Sequence, residues 1–154
     1  MNRDQVDALL AHPSKTLPVA PEWRQMTTRA GERRTYLPIA VEGVISPAQL
    51  EITVYLHDPE YLVINLLAPT CVARACLTLG HFDREAGVFL DVPHFHPWKL
   101  NRPKGSALPK ELLRAIPIPP EVCSRDLAFA WFLQEIGIES PSWSLDWPIR
   151  EGLL

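Results

Sequence analysis

The stretch LEITVYLHDPEYLVINLLA, from Leu50 to Ala68, decides the fold. Its first half alternates. Leu50, Ile52, Val54 and Leu56 point one way, and Glu51, Thr53, Tyr55 and His57 point the other, the period-2 signature of a half-buried strand. Asp58-Pro59-Glu60 reads as a tight turn. Tyr61–Ala68 is apolar on both faces, which suits a strand at the centre of a sheet. Two such strands joined by a short turn form a hairpin.

Working outward, Leu37–Val41 predicts a preceding strand and 43–47 a turn. On the other side Pro69-Thr70 breaks the pattern, and Val72–Phe82 predicts a third strong strand. Asp83–Gly87 is a polar turn with its glycine late, as in a hairpin loop of four or five residues. Val88–Val92 is the returning strand. Helical spacing appears only near the ends. Residues 3–11 place Val6, Leu9 and Leu10 on one face, with Asn2 or Asp4 as the cap and His12-Pro13 as the stop. Ser124–Ile136 has Leu127, Ala128, Trp131 and Phe132 at 3–4 spacing, a serine cap and Gly137 as its terminator. Seven of the 16 prolines fall within 93–120, which predicts an ordered extended loop with one helical turn at Lys110–Arg114. The order helix, strands, helix predicts an α+β fold: an antiparallel sheet of four to six strands with an N-terminal and a C-terminal helix on one face.

The bulk numbers bound the function. The 154 residues suit a single domain over 1–154, with 141–154 as a tail that docks on the sheet or on a partner. Apolar residues at 47% supply an ordinary core, which argues against disorder. No apolar run reaches the ~18 residues of a membrane helix. The start lacks the basic and apolar regions of a secretory signal, so a cytoplasmic location is expected. Cys71, Cys76 and Cys123 form an odd set with no CxxC pair, and read as small buried hydrophobes rather than a disulfide framework. The formal charge of −3 hides a basic stretch. Residues 94–114 hold Lys99, Arg102, Lys104, Lys110 and Arg114 against Glu111, net +4, and leave −7 elsewhere. Such a chain is no general nucleic-acid coater, but it can hold an anion at that stretch.

The chemistry concentrates at Asp91-Val92-Pro93-His94-Phe95-His96-Pro97-Trp98. In an extended segment His94 and His96 project on the same side. Two imidazoles on one face can act as general base and general acid, or bind a divalent transition metal. Flanking prolines stiffen the backbone, and Asp91 can orient a ring. His81 and Asp83, at the end of the preceding strand, complete a metal set of three nitrogens and a carboxylate if the register brings them near. Trp98, Lys99, Arg102 and Lys104 follow directly, an aromatic with three cations that suits a base or a phosphate. No phosphate-loop, dinucleotide, HExxH or GxSxG motif is present. Two-histidine phosphoesterases carry paired His-x-Ser/Thr motifs, whereas His12-Pro13-Ser14 has no partner here.

The chain resembles a small uncharacterised family of bacterial and phage proteins associated with mobile elements. The shared features are a helix ending at His12-Pro13-Ser14-Lys15, a strand end at 79–83, the Pro93-His94-Phe95-His96 segment, an apolar-proline segment at 115–119 and a final helix over 129–138. The family's loop between the two strands is longer and holds another histidine, while Arg84–Gly87 is short and has none. The resemblance implies a toxin–antitoxin or phage-conflict role and carries no settled activity.

Three functions stay open. One is a histidine site that binds or cleaves a phosphate-bearing ligand, RNA or a nucleotide, with His94, His96 and Asp91 catalytic and Trp98, Lys99, Arg102 and Lys104 binding. A second is a protein-interaction module using Trp143, Trp147 and the proline-rich loop. The third is a metal-binding regulator built on His81, Asp83, His94 and His96.

Overall fold

The computed structural model describes residues 1–78 and 80–149. In chain order the elements are α1 (Arg3–Ala11), β1 (Lys15–Thr16), β2 (Arg24–Gln25), β3 (Glu32–Val41), β4 (Val44–Tyr55), β5 (Asp58–Leu67), β6 (Cys71–Cys76), β7 (His81–Asp83), β8 (Val88–Leu90), β9 (His94–His96), α2 (Trp98–Asn101), β10 (Ile116–Pro117) and α3 (Arg125–Glu135). The main sheet is antiparallel, ordered β1-β3-β4-β5-β6-β9-β10, with β2 also on β3. Strands β7 and β8 form a separate two-stranded sheet.

The α+β class is as expected, but the eight-stranded main sheet exceeds four to six strands. The surplus comes from β1, β2, β9 and β10, each only two or three residues long. So short a strand shows no alternation that could be read. Three boundaries also differ. The β3–β4 turn is only Glu42-Gly43, both at positive φ as a two-residue hairpin turn requires. Pro47 therefore lies inside β4, in the part that pairs with β3 alone, where its missing N–H is tolerated. The β4–β5 turn is Leu56-His57, and Asp58-Pro59-Glu60 already belongs to β5. The expected strand 72–82 is two strands, β6 in the main sheet and β7 in the hairpin, and position 79 between them lies outside the described residues. Segment 110–114 is irregular, not helical.

Alternation sorts the sheet into two faces. Leu50, Ile52, Ile64, Leu66, Ala73, Ala75 and Phe95 face the core, where they meet Val6 and Leu9 of α1 and Ala128, Phe129, Phe132 and Leu133 of α3. Fully burying a side chain such as Phe132 stabilises by roughly 1.5–3 kcal/mol. Asn2 and Gln5 close a reciprocal cap on α1, and Ser124 caps α3. Buried Lys15 donates from Nζ to the Leu10 and His12 carbonyls at the end of α1, which offsets the cost of hiding it. Burial pushes its ammonium below the ordinary lysine value.

The tail folds back. Trp143 Nε1 donates to Leu17 O at 3.0 Å, and Trp147 Nε1 donates to Asp126 Oδ1 at 2.8 Å. The Trp147 ring also contacts Trp23 and lies beneath Arg125. Both indoles offered to a partner in the sequence reading are thus engaged within the chain. Tail residues 150–154 lie outside the described residues. Among the described residues no helix is long and apolar enough to cross a membrane.

Candidate functional site

The second face of the sheet is polar and in strict register. Tyr36 pairs with Glu51, Glu51 with Asn65, Asn65 with Arg74 and Arg74 with His96. Directly opposed residues share a face, so these five side chains form one row across five strands. Asn65 Nδ2 donates to Glu51 at 2.8 Å, and Arg74 Nε donates to Asn65 Oδ1 at 2.8 Å. Glu51 is in turn 3.5 Å from Arg34, which also grips buried Glu32. A register shift at Val72 turns Cys71 onto the same face as Arg74, three residues on, and its thiol also reaches Asn65 Oδ1. Burial pushes the Cys71 thiol up and that of Cys76 up to about 11, so both stay protonated at neutral pH.

At the β9 end of this row three imidazoles meet. The His81 ring centroid is 4.5 Å from that of His96 and 5.7 Å from that of His94, and the latter two are 5.1 Å apart. Each ring is anchored to a backbone carbonyl: His81 Nε2 to Leu113 O at 2.8 Å, His94 Nδ1 to Val92 O at 3.0 Å, and His96 Nδ1 to Arg114 O at 3.1 Å. A carbonyl only accepts, so each bonded nitrogen carries the hydrogen. The free lone pairs are then His81 Nδ1, His94 Nε2 and His96 Nε2. Glu32 Oε2 is the sole fully sealed side-chain polar atom without a partner among the described residues. The unbonded nitrogens of the buried pair therefore keep a narrow opening.

That opening is narrower than a catalytic pair needs. His94 is 2% exposed and His96 3%. Burial first, then the neighbouring His81, His94 and Arg74, holds His96 down at about 3. Burial likewise lowers His94, and the bond to Val92 opposes it. Both rings are neutral near pH 7, which corrects the expectation of two solvent-facing groups titrating there. The cause is the β7–β8 hairpin and segment 110–115, which close over β9. Asp91 is exposed and bonds to neither ring among the described residues, so it orients nothing.

Register brings His81 to the pair, whereas Asp83, on the same face of β7, is engaged elsewhere. The buried Asp83 carboxylate accepts from Glu85 N, Ala86 N, Arg114 Nε and Ala115 N, at 2.9–3.3 Å. Burial works to raise its pKa, but the bonds from Ala86, Arg114 and Ala115 win and hold it at about 2. It pins the hairpin to the 110–115 segment. Among the described residues no group of three or more His, Cys, Asp or Glu side chains is placed to hold a metal ion.

The basic loop lies on the other side of the sheet. Phe95, between the two histidines, points into the core, and Trp98 follows it there. Trp98 is buried, and its Nε1 donates to Asp7 of α1 at 2.8 Å. Arg102 clamps the same Asp7 with three bonds of 2.6–3.0 Å. Those bonds from Arg102, then that from Trp98, hold the Asp7 carboxyl at about 2. Lys99 borders a largely apolar cavity with Leu10, Ala73, Phe95 and Ile136, and Lys104 offers its carbonyl to Arg3. None of the four expected binding residues shares a face with His94 and His96.

Other cations replace them. A cavity of about 480 Å³ opens beside His81, between β6, the hairpin and segment 110–113. Arg74, Arg84 and Lys110 line it with Cys71, Phe82 and Leu113, and its one carboxylate is Glu111. No carboxylate lies within 4.0 Å of Arg74, Arg84 or Lys110 among the described residues. Arg74 carries the signal that sequence reading passed over: an arginine in mid-strand, in an otherwise apolar VARAC run. No family model, curated protein or solved structure matches the chain.

Proposed function

We propose that this protein binds a phosphate-bearing ligand of nucleotide size in the cavity beside His81. The observation that carries the reading is Arg74. Its Nε is fixed on Asn65, no carboxylate lies within 4.0 Å of it among the described residues, and it lines a cavity with two further cations, Arg84 and Lys110. A guanidinium so held presents its terminal N–H groups to an anion with little entropy left to lose. Phe82 and Leu113 supply apolar wall for an organic moiety, and ~300–1,000 Å³ is the usual size of small-molecule sites.

The reading is binding rather than cleavage. General acid–base work needs one group able to gain and one able to lose a proton near the operating pH. With His94 and His96 almost fully buried and neutral, His81 is the one of the three that lines the cavity. A conflict role among mobile elements fits a nucleotide or RNA-end binder and is part of this proposal.

Calorimetric titration with 5′-AMP tests it. Wild type and a Lys99→Ala/Lys104→Ala double variant should bind alike, and Arg74→Gln should lose at least about tenfold, the scale of one charge-assisted contact. Equal binding by Arg74→Gln and wild type would overturn the reading.

A second reading is favoured by one observation. The hairpin is inverted: His81 and Asp83 point inward, while the directly paired Phe82 and Phe89 on its other face are 52% and 60% exposed. That outward apolar face suits a protein partner better than the anchored tail does.

A further inference from the structure

Resting on the binding reading above, we infer that Asn65 is the positioning residue of the anion site. Its amide holds Arg74 through a neutral acceptor, which fixes the guanidinium without cancelling its charge, and Glu51 sets which way that amide faces.

The direction of the amide follows from its two neighbours. Asn65 is buried and stands in register between Glu51 and Arg74. Arg74 Nε–H lies 2.8 Å from one end of the amide, and a guanidinium only donates, so that end is the oxygen. Glu51 lies 2.8 Å from the other end, and a carboxylate only accepts, so that end is the nitrogen. A flipped amide would set donor against donor at Arg74 and acceptor against acceptor at Glu51. Glu51 is itself 3.5 Å from Arg34. Direction is thus passed across four strands, from Arg34 on β3 through Glu51 and Asn65 to Arg74 on β6.

Charge is not passed with it. A carboxylate at the β5 position would meet Arg74 at contact distance and neutralise it. The row instead carries its carboxylate one strand further off, on β4, where it serves Arg34. Neighbouring strands lie ~4.8 Å apart, and Coulomb attraction weakens with distance. An anion entering the cavity that Arg74 lines therefore meets a cation and not an ion pair.

Moving the carboxylate tests this. The double variant Glu51→Gln/Asn65→Asp keeps both side-chain lengths and the net charge. The bond between the two positions can re-form with donor and acceptor reversed, and the carboxylate now sits on Arg74. In calorimetric titration the folded double variant should bind 5′-AMP at least about tenfold more weakly than wild type. Its affinity should also depend less on salt, because one uncompensated cation is gone. Binding equal to wild type would overturn the inference. So would a weaker affinity with undiminished salt dependence, which marks distortion rather than neutralisation. If the double variant does not fold, Glu51→Gln alone decides. It frees the amide to turn, so 5′-AMP should bind more weakly, and unchanged binding would overturn the inference. Weaker binding by Arg74→Gln would in either case preserve the reading beneath it, and equal binding by Arg74→Gln would remove both.

Discussion

The two faces of the sheet pass through one tripeptide, His94-Phe95-His96, and they use burial for opposite ends. Phe95 joins Trp131 and Phe132 on the helix side with ring centroids 5.1 and 5.8 Å away. Its neighbours turn to the other side and are buried as deeply, yet there the walls are guanidinium, amide and imidazole. Apolar burial stabilises by removing area from water, and every added contact helps. Polar burial stabilises little and instead fixes direction: each histidine is locked to one carbonyl and Arg74 to one amide. The first face holds the chain together, and the second holds the Arg74 guanidinium in place.

Substitutions on neighbouring residues should separate these roles. Phe95→Ala should cost about 3–5 kcal/mol by denaturant unfolding, since it empties the aromatic cluster under α3. A loss under about 1 kcal/mol would mean that this face is no better packed than the polar one.

Acid should act through the polar face. His96 is neutral in the folded chain down to about 3, but an unfolded histidine binds a proton below its ordinary 6.5. The unfolded state therefore holds more protons across that interval, and stability falls as pH drops from about 6.5 toward 3. The slope is at most about 1.4 kcal/mol per pH unit for this group. His96→Leu should flatten it in urea unfolding followed against pH. An unchanged slope would show that another group carries the effect. Asp83, with its carboxyl held at about 2, loses its stabilising charge only further down, below about 4.

Asp83→Asn should cost about 2 kcal/mol, because a neutral amide keeps only part of a four-bond hub. Amide hydrogen exchange should place the loss in residues 81–90 and 113–115. Faster exchange spread evenly over the sheet would contradict a local pin. Smallest of all, Lys99→Ala with Lys104→Ala should leave both stability and anion binding unchanged. A fall in anion affinity would return the site to the loop after β9.

The sequence made the first face legible and half hid the second. Period-2 alternation at Leu50–Val54 and 3–4 spacing at Leu127–Phe132 report burial on a face, so both the strands and the helices could be read. The same alternation placed His94 and His96 together. It could not show that Trp98 leaves with Phe95, because the chain turns at Pro97 into α2 and enters the core side. Nor could it show Arg74. Its role depends on register across five strands, which is a long-range property. The two- and three-residue strands escaped for a related reason: their pairing is set by what lies beside them, not by their own pattern.

The most direct test follows the Arg74 Nε–Hε resonance and the His81 ring signals by NMR while 5′-AMP is added. Saturable shifts at Arg74, His81 and Lys110, with Lys99 and Lys104 silent, are the expected result. Shifts confined to Lys99 and Lys104, or none at Arg74 up to millimolar ligand, would contradict an anion site on the polar face.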